Sequence, residues 1–211
     1  MRVYRVVTVL ALSVLMAAAA PDIGSTLKAV ESRYNSAKTL EIAFSETYAP
    51  KGRAKRTEQG ILSLRKPGRM RWEYTQPAGK LFIADGKYFY LYTPSSNRVQ
   101  KSKTKDSEDM HAPLAFLLGR LDFSKDFKEF LGRAEGADVW IEATPKSDQL
   151  PYTKVSFLVA PDARIKRVMV TGQDLSVLDF TFASEKRNPP MTDKLFVFTP
   201  PAGTEVVEAS N

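Results

Sequence analysis

The chain has 211 residues, no cysteine, a single histidine (His111) and a formal charge of +7 at pH 7. Without a thiol there are no disulfides, no thiol catalysis, no cysteine metal site and no lipidated N-terminal cysteine, and one histidine gives no support to a multi-histidine metal centre. An apolar fraction of 43% is enough for one sizeable core, and no arginine-rich helix or zinc motif points to nucleic acid.

Residues 1–20 read as a secretory signal peptide. Arg2 and Arg5 supply the charged start, Val6 to Met16 the apolar run, and Ala17 to Ala20 the small-residue cleavage region. The run is short for a transmembrane helix, so the sequence predicts an exported chain in which 21–211 form a single domain. Its charge, +7 less the two arginines, is +5, which suits solubility first and an anionic lipid or acidic partner second. Asp22 to Lys38 carries Ile23, Leu27, Val30, Tyr34 and Ala37 at spacings of three and four, the stripe of an amphipathic helix. Leu40 to Tyr48 follows as a strand with Ile42 and Phe44 on one face, and Lys51 to Arg56 as a solvated basic hairpin connection, with membrane contact as the lesser alternative.

Gly60 to Pro94 is the stretch around which the rest is organised. Lys66-Pro67-Gly68-Arg69 fits a type II turn, and Asp85-Gly86 fits a type I′ hairpin, so an antiparallel meander is predicted. Period-two alternation puts Leu62, Leu64 and Lys66 on one face, and Met70, Trp72 and Tyr74 on one face of the next strand. If the hairpin aligns these sets, a lysine ends an apolar, aromatic surface; the plainer alternative is a turn lysine pointing to water. From Leu81 to Tyr92 both faces are apolar, with Leu81, Ile83, Phe89 and Leu91 assigned to one and Phe82, Tyr88, Tyr90 and Tyr92 to the other. Such a strand needs cover on both sides.

Arg98 to Thr104 reads as a polar edge strand whose lysines discourage further pairing. Lys105 to His111 is a charged loop and Pro113 to Gly119 a short helix, with a second short helix over Lys125 to Leu131. Strands are expected at Val139 to Ala143, Lys154 to Val159, Lys166 to Thr171 and Leu175 to Ala183, where Leu178, Phe180 and Phe182 share a face. Leu195 to Thr199 is read as the last strand, ended by Pro200-Pro201. His111, Ser45-Glu46 and Asp106-Glu108-Asp109 read as ordinary surface groups, and no nucleophile stands with a base, so an exported hydrolase has no support. The total, about ten strands with an N-terminal helix and a helical insertion, is an α+β protein.

Several short patterns recur in a fixed order: Gly60, Lys66-Pro67, Met70-Arg71-Trp72, Gln76-Pro77, Asp85-Gly86-Lys87, Tyr92-x-Pro94, Pro113 to Leu118, and Phe196 to Gly203. The ordered set resembles the LolA family, periplasmic carriers that ferry lipoproteins to the outer membrane. The resemblance implies an antiparallel, incompletely closed β-barrel with helices capping its concave apolar side. It implies acylated lipoproteins as cargo, an inner-membrane lipoprotein-releasing ABC transporter as donor and an outer-membrane lipoprotein acceptor. It also implies a monomeric, non-enzymatic protein of a Gram-negative-type periplasm, without a cofactor.

A lipid-binding or lipoprotein-sensing protein of the same fold is the alternative, although sensors usually carry an extra domain. The acyl-chain candidates are Phe44, Leu62, Leu64, Met70, Trp72 and Tyr74. The lid candidates are Leu27, Val30 and Tyr34 on the helix and Leu114, Leu117 and Leu118 on the insertion. The family frequently places arginine before the turn proline, bonding lid carbonyls; here Lys66 stands there as the candidate latch, with Arg65 on the opposite face. Lysine has three donors and lacks the flat fork of arginine.

Overall fold

The computed structural model describes residues 22–103 and 121–208. The presequence reading (1–20), the Pro113 to Gly119 helix with Leu114, Leu117 and Leu118, His111 and the Asp106-Glu108-Asp109 cluster lie outside the described residues.

The strands are β1 Thr39–Ala49, β2 Arg56–Arg65, β3 Arg69–Gln76, β4 Ala78–Asp85, β5 Tyr88–Thr93 and β6 Arg98–Lys103. Further along the chain come β7 Phe127–Glu135, β8 Asp138–Pro145, β9 Tyr152–Val159, β10 Ile165–Gly172, β11 Val177–Arg187 and β12 Glu205–Glu208. They form one 12-stranded sheet in the order β12-β6-β5-β4-β3-β2-β1-β11-β10-β9-β8-β7. Neighbours pair antiparallel, except β12, which lies parallel to β6. Side chains from strands far apart in that order, such as Phe82 on β4 and Phe157 on β9, share one core. The sheet therefore curls around its own inner face, while its end strands β12 and β7 do not pair with each other: an incompletely closed barrel.

Two helices, α1 (Ile23–Asn35) and α2 (Phe123–Asp126), accompany the sheet among the described residues. Asp22 starts α1 by accepting a hydrogen bond from Ser25 N at 3.1 Å, which satisfies one of the free amides of the first turn. Leu27, Val30 and Tyr34 are its buried residues. The helix stops at Asn35, short of the expected Lys38, and Ala37 is buried beyond its end.

Several expectations are corrected. Lys125 to Leu131 is not a helix: α2 ends at Asp126, and Phe127 onward pairs with β8. Phe127, Phe130 and Leu131 mimic helical spacing because the ladder shifts register between Lys128 and Leu131, where Glu129 takes φ 55°. Leu195 to Thr199 is not a ladder strand. Asp193–Phe196 is a single 3-10 turn, Phe196 is buried, and Phe198 lies 5.5 Å from Tyr90 and 6.2 Å from Tyr92. This segment covers the outer face of the meander, and the last strand is β12. Consequently β6 is not an edge: Val99 pairs with Val206, and Lys101 meets Glu208 at 2.8 Å.

Gly68 has the positive φ (73°) that its type II motif anticipates, and the Lys66–Pro67 bond leading into the turn is cis. The second turn assignment changes. Asp85 lacks the positive φ that a type I′ turn requires. Its carboxylate instead accepts from Lys87 N (2.7 Å) and Tyr88 N (2.8 Å). The first pair beyond that turn is Ala84 with Phe89, so Phe82, Ala84, Phe89 and Leu91 share the inner face. Leu81 and Ile83 go with Tyr90 and Tyr92 outside, reversing the assignment made by parity across the turn.

Candidate functional site

The inner face is assembled by register. Ile42 pairs with Leu62, Leu62 with Trp72, Trp72 with Phe82, and Leu64 with Met70, and cross-strand partners point to the same side. Phe44, Leu62, Leu64, Met70, Trp72 and Tyr74 are all buried in one cluster, and Leu27, Val30 and Tyr34 of α1 complete it. The structure thus brings together all six acyl-chain candidates and the three helical lid candidates. Phe44 meets Trp72 edge-on at 4.6 Å and Tyr74 at 5.2 Å, and Trp72 lies 5.3 Å from Phe180. These rings occupy the space between sheet and helix.

The Phe44 contact needs Gly60, its cross-strand partner. A Cβ at residue 60 would lie 2.2 Å from the Glu73 carbonyl oxygen and 2.9 Å from Phe44 Cε1. Two open clefts lie elsewhere, about 350 Å³ beside Leu131, Trp140 and Met169 on the outer face, and about 500 Å³ beside Arg65 and Pro189. Neither is lined by the aromatic cluster.

Lys66 lies where parity put it. Its Nζ donates to Tyr34 O at 2.9 Å, and its backbone N donates to Lys38 O at 2.9 Å. Tyr34 O belongs to the last turn of α1, where it also accepts from Ala37 N at 3.3 Å and the helix dipole favours a cation. Half-burial pushes the Lys66 pKa down, because the charged form loses hydration. Arg65, on the outer face, pairs with Asp193, which Arg69 also reaches at 3.0 Å. Arg65 thus secures the C-terminal segment rather than the helix.

The rest of the helix attachment was absent from the sequence reading. Glu185 of β11 takes Arg33 (2.6 Å) on one carboxylate oxygen and the Tyr34 hydroxyl (2.8 Å) on the other. Ile165 N donates to the same hydroxyl at 3.0 Å. Asn35 exchanges two hydrogen bonds with Leu121, at 2.8 and 2.7 Å, and Glu31 accepts from Phe123 N at 2.8 Å. Arg33, Glu185 and Asn35 carry no motif, and their partners lie some 86 to 152 residues away along the chain. Glu46, read as a surface residue, is buried instead and accepts from the Tyr74 hydroxyl at 3.1 Å; its position on β1 has the parity of Leu40, Ile42 and Phe44.

Burial, and then the Glu185 carboxylate, raise the pKa of Tyr34. Burial, and then Asp126, raise Tyr152 from 10.0 to about 12. An unfolded chain gives up these protons near pH 10 while the folded chain keeps them, so stability falls as pH rises through that range. The denaturant midpoint is expected to drop between pH 10.0 and about 12, and Tyr152→Phe to flatten part of that drop. An unchanged slope in the variant would mean that the hydroxyl titrates as if in water.

A curled sheet with an apolar, aromatic inner face, closed over by a helix on polar bonds, is the architecture these residues build. The model of the outer membrane lipoprotein carrier protein LolA matches residues 35–199. The chain belongs to the LolA family. An outer-membrane lipoprotein carrier protein of Nitrosomonas europaea is 28% identical over 204 residues, covering 96% of this chain and 98% of its own. Another, from Xanthomonas axonopodis pv. citri, is 32% identical over 180 residues, covering 81% and 82%. Among solved structures, an uncharacterised conserved protein of Thermus thermophilus shares the fold, with TM-score 0.51, 13% identity and coverage of 88% of this chain and 98% of that one.

Proposed function

We propose that this protein is a periplasmic carrier that binds the acyl chains of lipoproteins released from the inner membrane and delivers them to the outer membrane. On this reading it accepts cargo from a lipoprotein-releasing ABC transporter and passes it to an outer-membrane acceptor. The observation that carries the reading is the paired construction of the site. Phe44, Leu62, Leu64, Met70, Trp72 and Tyr74 form a continuous apolar lining, and α1 is fastened over it partly through Lys66 and Glu185. Family membership and the names of the relatives support it.

Each acyl CH₂ withdrawn from water is worth about 0.8 kcal/mol, so a chain needs an apolar enclosure, and an empty enclosure needs cover. Rings packed on one another supply that cover, and polar bonds at the helix end can break without tearing the sheet. Export follows from the signal-peptide reading of residues 1–20. Among the described residues no group of His, Asp and Glu side chains is arranged to hold a metal ion, and the reading requires no catalysis.

A hydrophobic fluorescent probe is expected to bind the purified protein and to be displaced by a lipopeptide. Equal displacement by the deacylated peptide would refute acyl recognition.

A further inference from the structure

Several cations on the strands of this surface are neutralised in place. Lys80 pairs with Glu58, Arg71 with Glu73, Lys166 with Asp138, Arg167 with Asp179, Lys154 with Glu142 and Lys186 with Glu41. The tip of the β1–β2 hairpin differs in its local density of charge. Lys51, Arg53, Lys55 and Arg56 stand within six residues that contain no carboxylate, and all are exposed. Among the described residues, none of Lys51, Arg53 and Lys55 takes part in an ion pair, and Arg56 leans over the Tyr48 ring at 5.7 Å. The tip is folded tightly: Arg53 N bonds Pro50 O at 3.3 Å, and Gly52 takes φ 70°. β1 runs from the Lys66 latch to this tip, and its 11 residues at about 3.3 Å each put the two near opposite ends of the sheet.

We propose that this hairpin tip is a docking element for the anionic headgroups of a phospholipid bilayer. The proposal rests on the carrier reading, in which the transporter that loads the carrier and the acceptor that unloads it both sit at a membrane surface. The occupant follows from chemistry. Residues 51–57 offer concentrated positive charge, with Ala54 as their only apolar side chain. A diffuse sheet of negative charge is attracted by that feature alone, whereas a specific acidic protein would need shape or apolar contact as well. Attraction of this kind is weak and reversible, as suits a protein that must leave again, and it places the long axis of β1 and β2 across the membrane plane. Tyr48, packed partly against the core beneath Arg56, links the tip to the apolar interior.

The test is partitioning of the purified exported protein onto vesicles of phosphatidylethanolamine with phosphatidylglycerol, against vesicles of phosphatidylcholine alone, at low and high salt. Two variants are compared. One carries Lys51→Gln, Arg53→Gln and Lys55→Gln. The control carries Lys28→Gln, Lys38→Gln and Lys128→Gln, which removes the same charge from other exposed positions. Each cation near an anionic surface contributes about a fivefold factor, so the tip variant should bind about a hundredfold more weakly. The control should retain most of its binding, and salt should abolish binding by the native chain.

Absence of binding by the native chain, or equal losses in the two variants, would overturn the proposal, the second because net charge alone then suffices. If the native chain ignores vesicles but the tip variant slows vesicle-free transfer of cargo to an acceptor, the partner is an acidic protein and the membrane proposal falls. Displacement of the hydrophobic probe by lipopeptide, measured on the same samples, reports the carrier reading separately.

Discussion

Trp72→Ala is expected to lower stability by about 3–5 kcal/mol, the usual consequence of removing a fully buried indole. Trp72 has no exposed surface, is flanked across the strands by Leu62 and Phe82, and contacts the Phe44 and Phe180 rings. It joins β1, β3 and β11 in the folded interior, so little of the void can be filled by local movement. In a chain of this size each kcal/mol moves the melting temperature by about 2–4 °C, which predicts a fall of roughly 10 °C.

The same deletion removes lining from the proposed acyl site, so a melting curve and a probe titration are read together. A lower melting temperature with weaker probe binding is the expected pair. A lower melting temperature with undiminished binding would show the ring to be core only, and an unchanged melting temperature would contradict its place in the packing. Added lipopeptide should restore part of the lost stability, because a ligand that binds only the folded state shifts the melting temperature by mass action.

Register made the inner face legible. Leu62, Leu64, Met70, Trp72 and Tyr74 alternate strictly, and the short turn after Arg65 keeps their two strands in phase. The same device failed at the next hairpin. Counting parity through Asp85 to Tyr88 put Leu81 and Ile83 with the wrong partners, because an Asx turn there replaced the expected turn and pairing resumes only at Ala84 with Phe89. Parity within a strand survives a wrong turn type, whereas parity across it does not.

The helix attachment was hidden for a different reason. Tyr34 was visible as a stripe residue, but its hydroxyl partner Glu185 and the amide of Ile165 come from strands more than 130 residues away. The β12 pairing was masked by composition: Lys101 reads as an edge charge until Glu208 is seen beside it. Glu46 had the parity of the core, but carboxylates are rarely buried, and its bond from the Tyr74 hydroxyl joins residues 28 apart, which no local pattern announces.

Lys66→Leu is expected to slow transfer of a bound lipoprotein to its outer-membrane acceptor, whereas Lys66→Arg preserves it. Two opposing terms set the strength of the latch. Closing the helix over the sheet half-buries the ammonium, which lowers its pKa and opposes closure. The same movement forms the 2.9 Å bond to Tyr34 O, and a hydrogen bond from a charged donor is worth about 1.5–3 kcal/mol. If the bond outweighs the desolvation, the latch draws α1 down and helps expel the acyl chain.

Leucine removes that pull and adds apolar area to the interior, so cargo should be held longer. The full strength of the bond corresponds to a shift of about ten- to a hundredfold in the open–closed balance. Arginine keeps the charge, is more weakly hydrated and offers more donors to the helix end, so it should close at least as firmly and still release. Glu185 and Asn35 hold the same helix independently, which keeps the leucine variant folded and its transfer rate interpretable. Transfer is measured for native, leucine and arginine chains side by side, with a melting curve for each. Equal transfer by the native and leucine chains, or a leucine chain that melts higher and releases faster, would show that desolvation wins and that Lys66 is a turn lysine with no latch role.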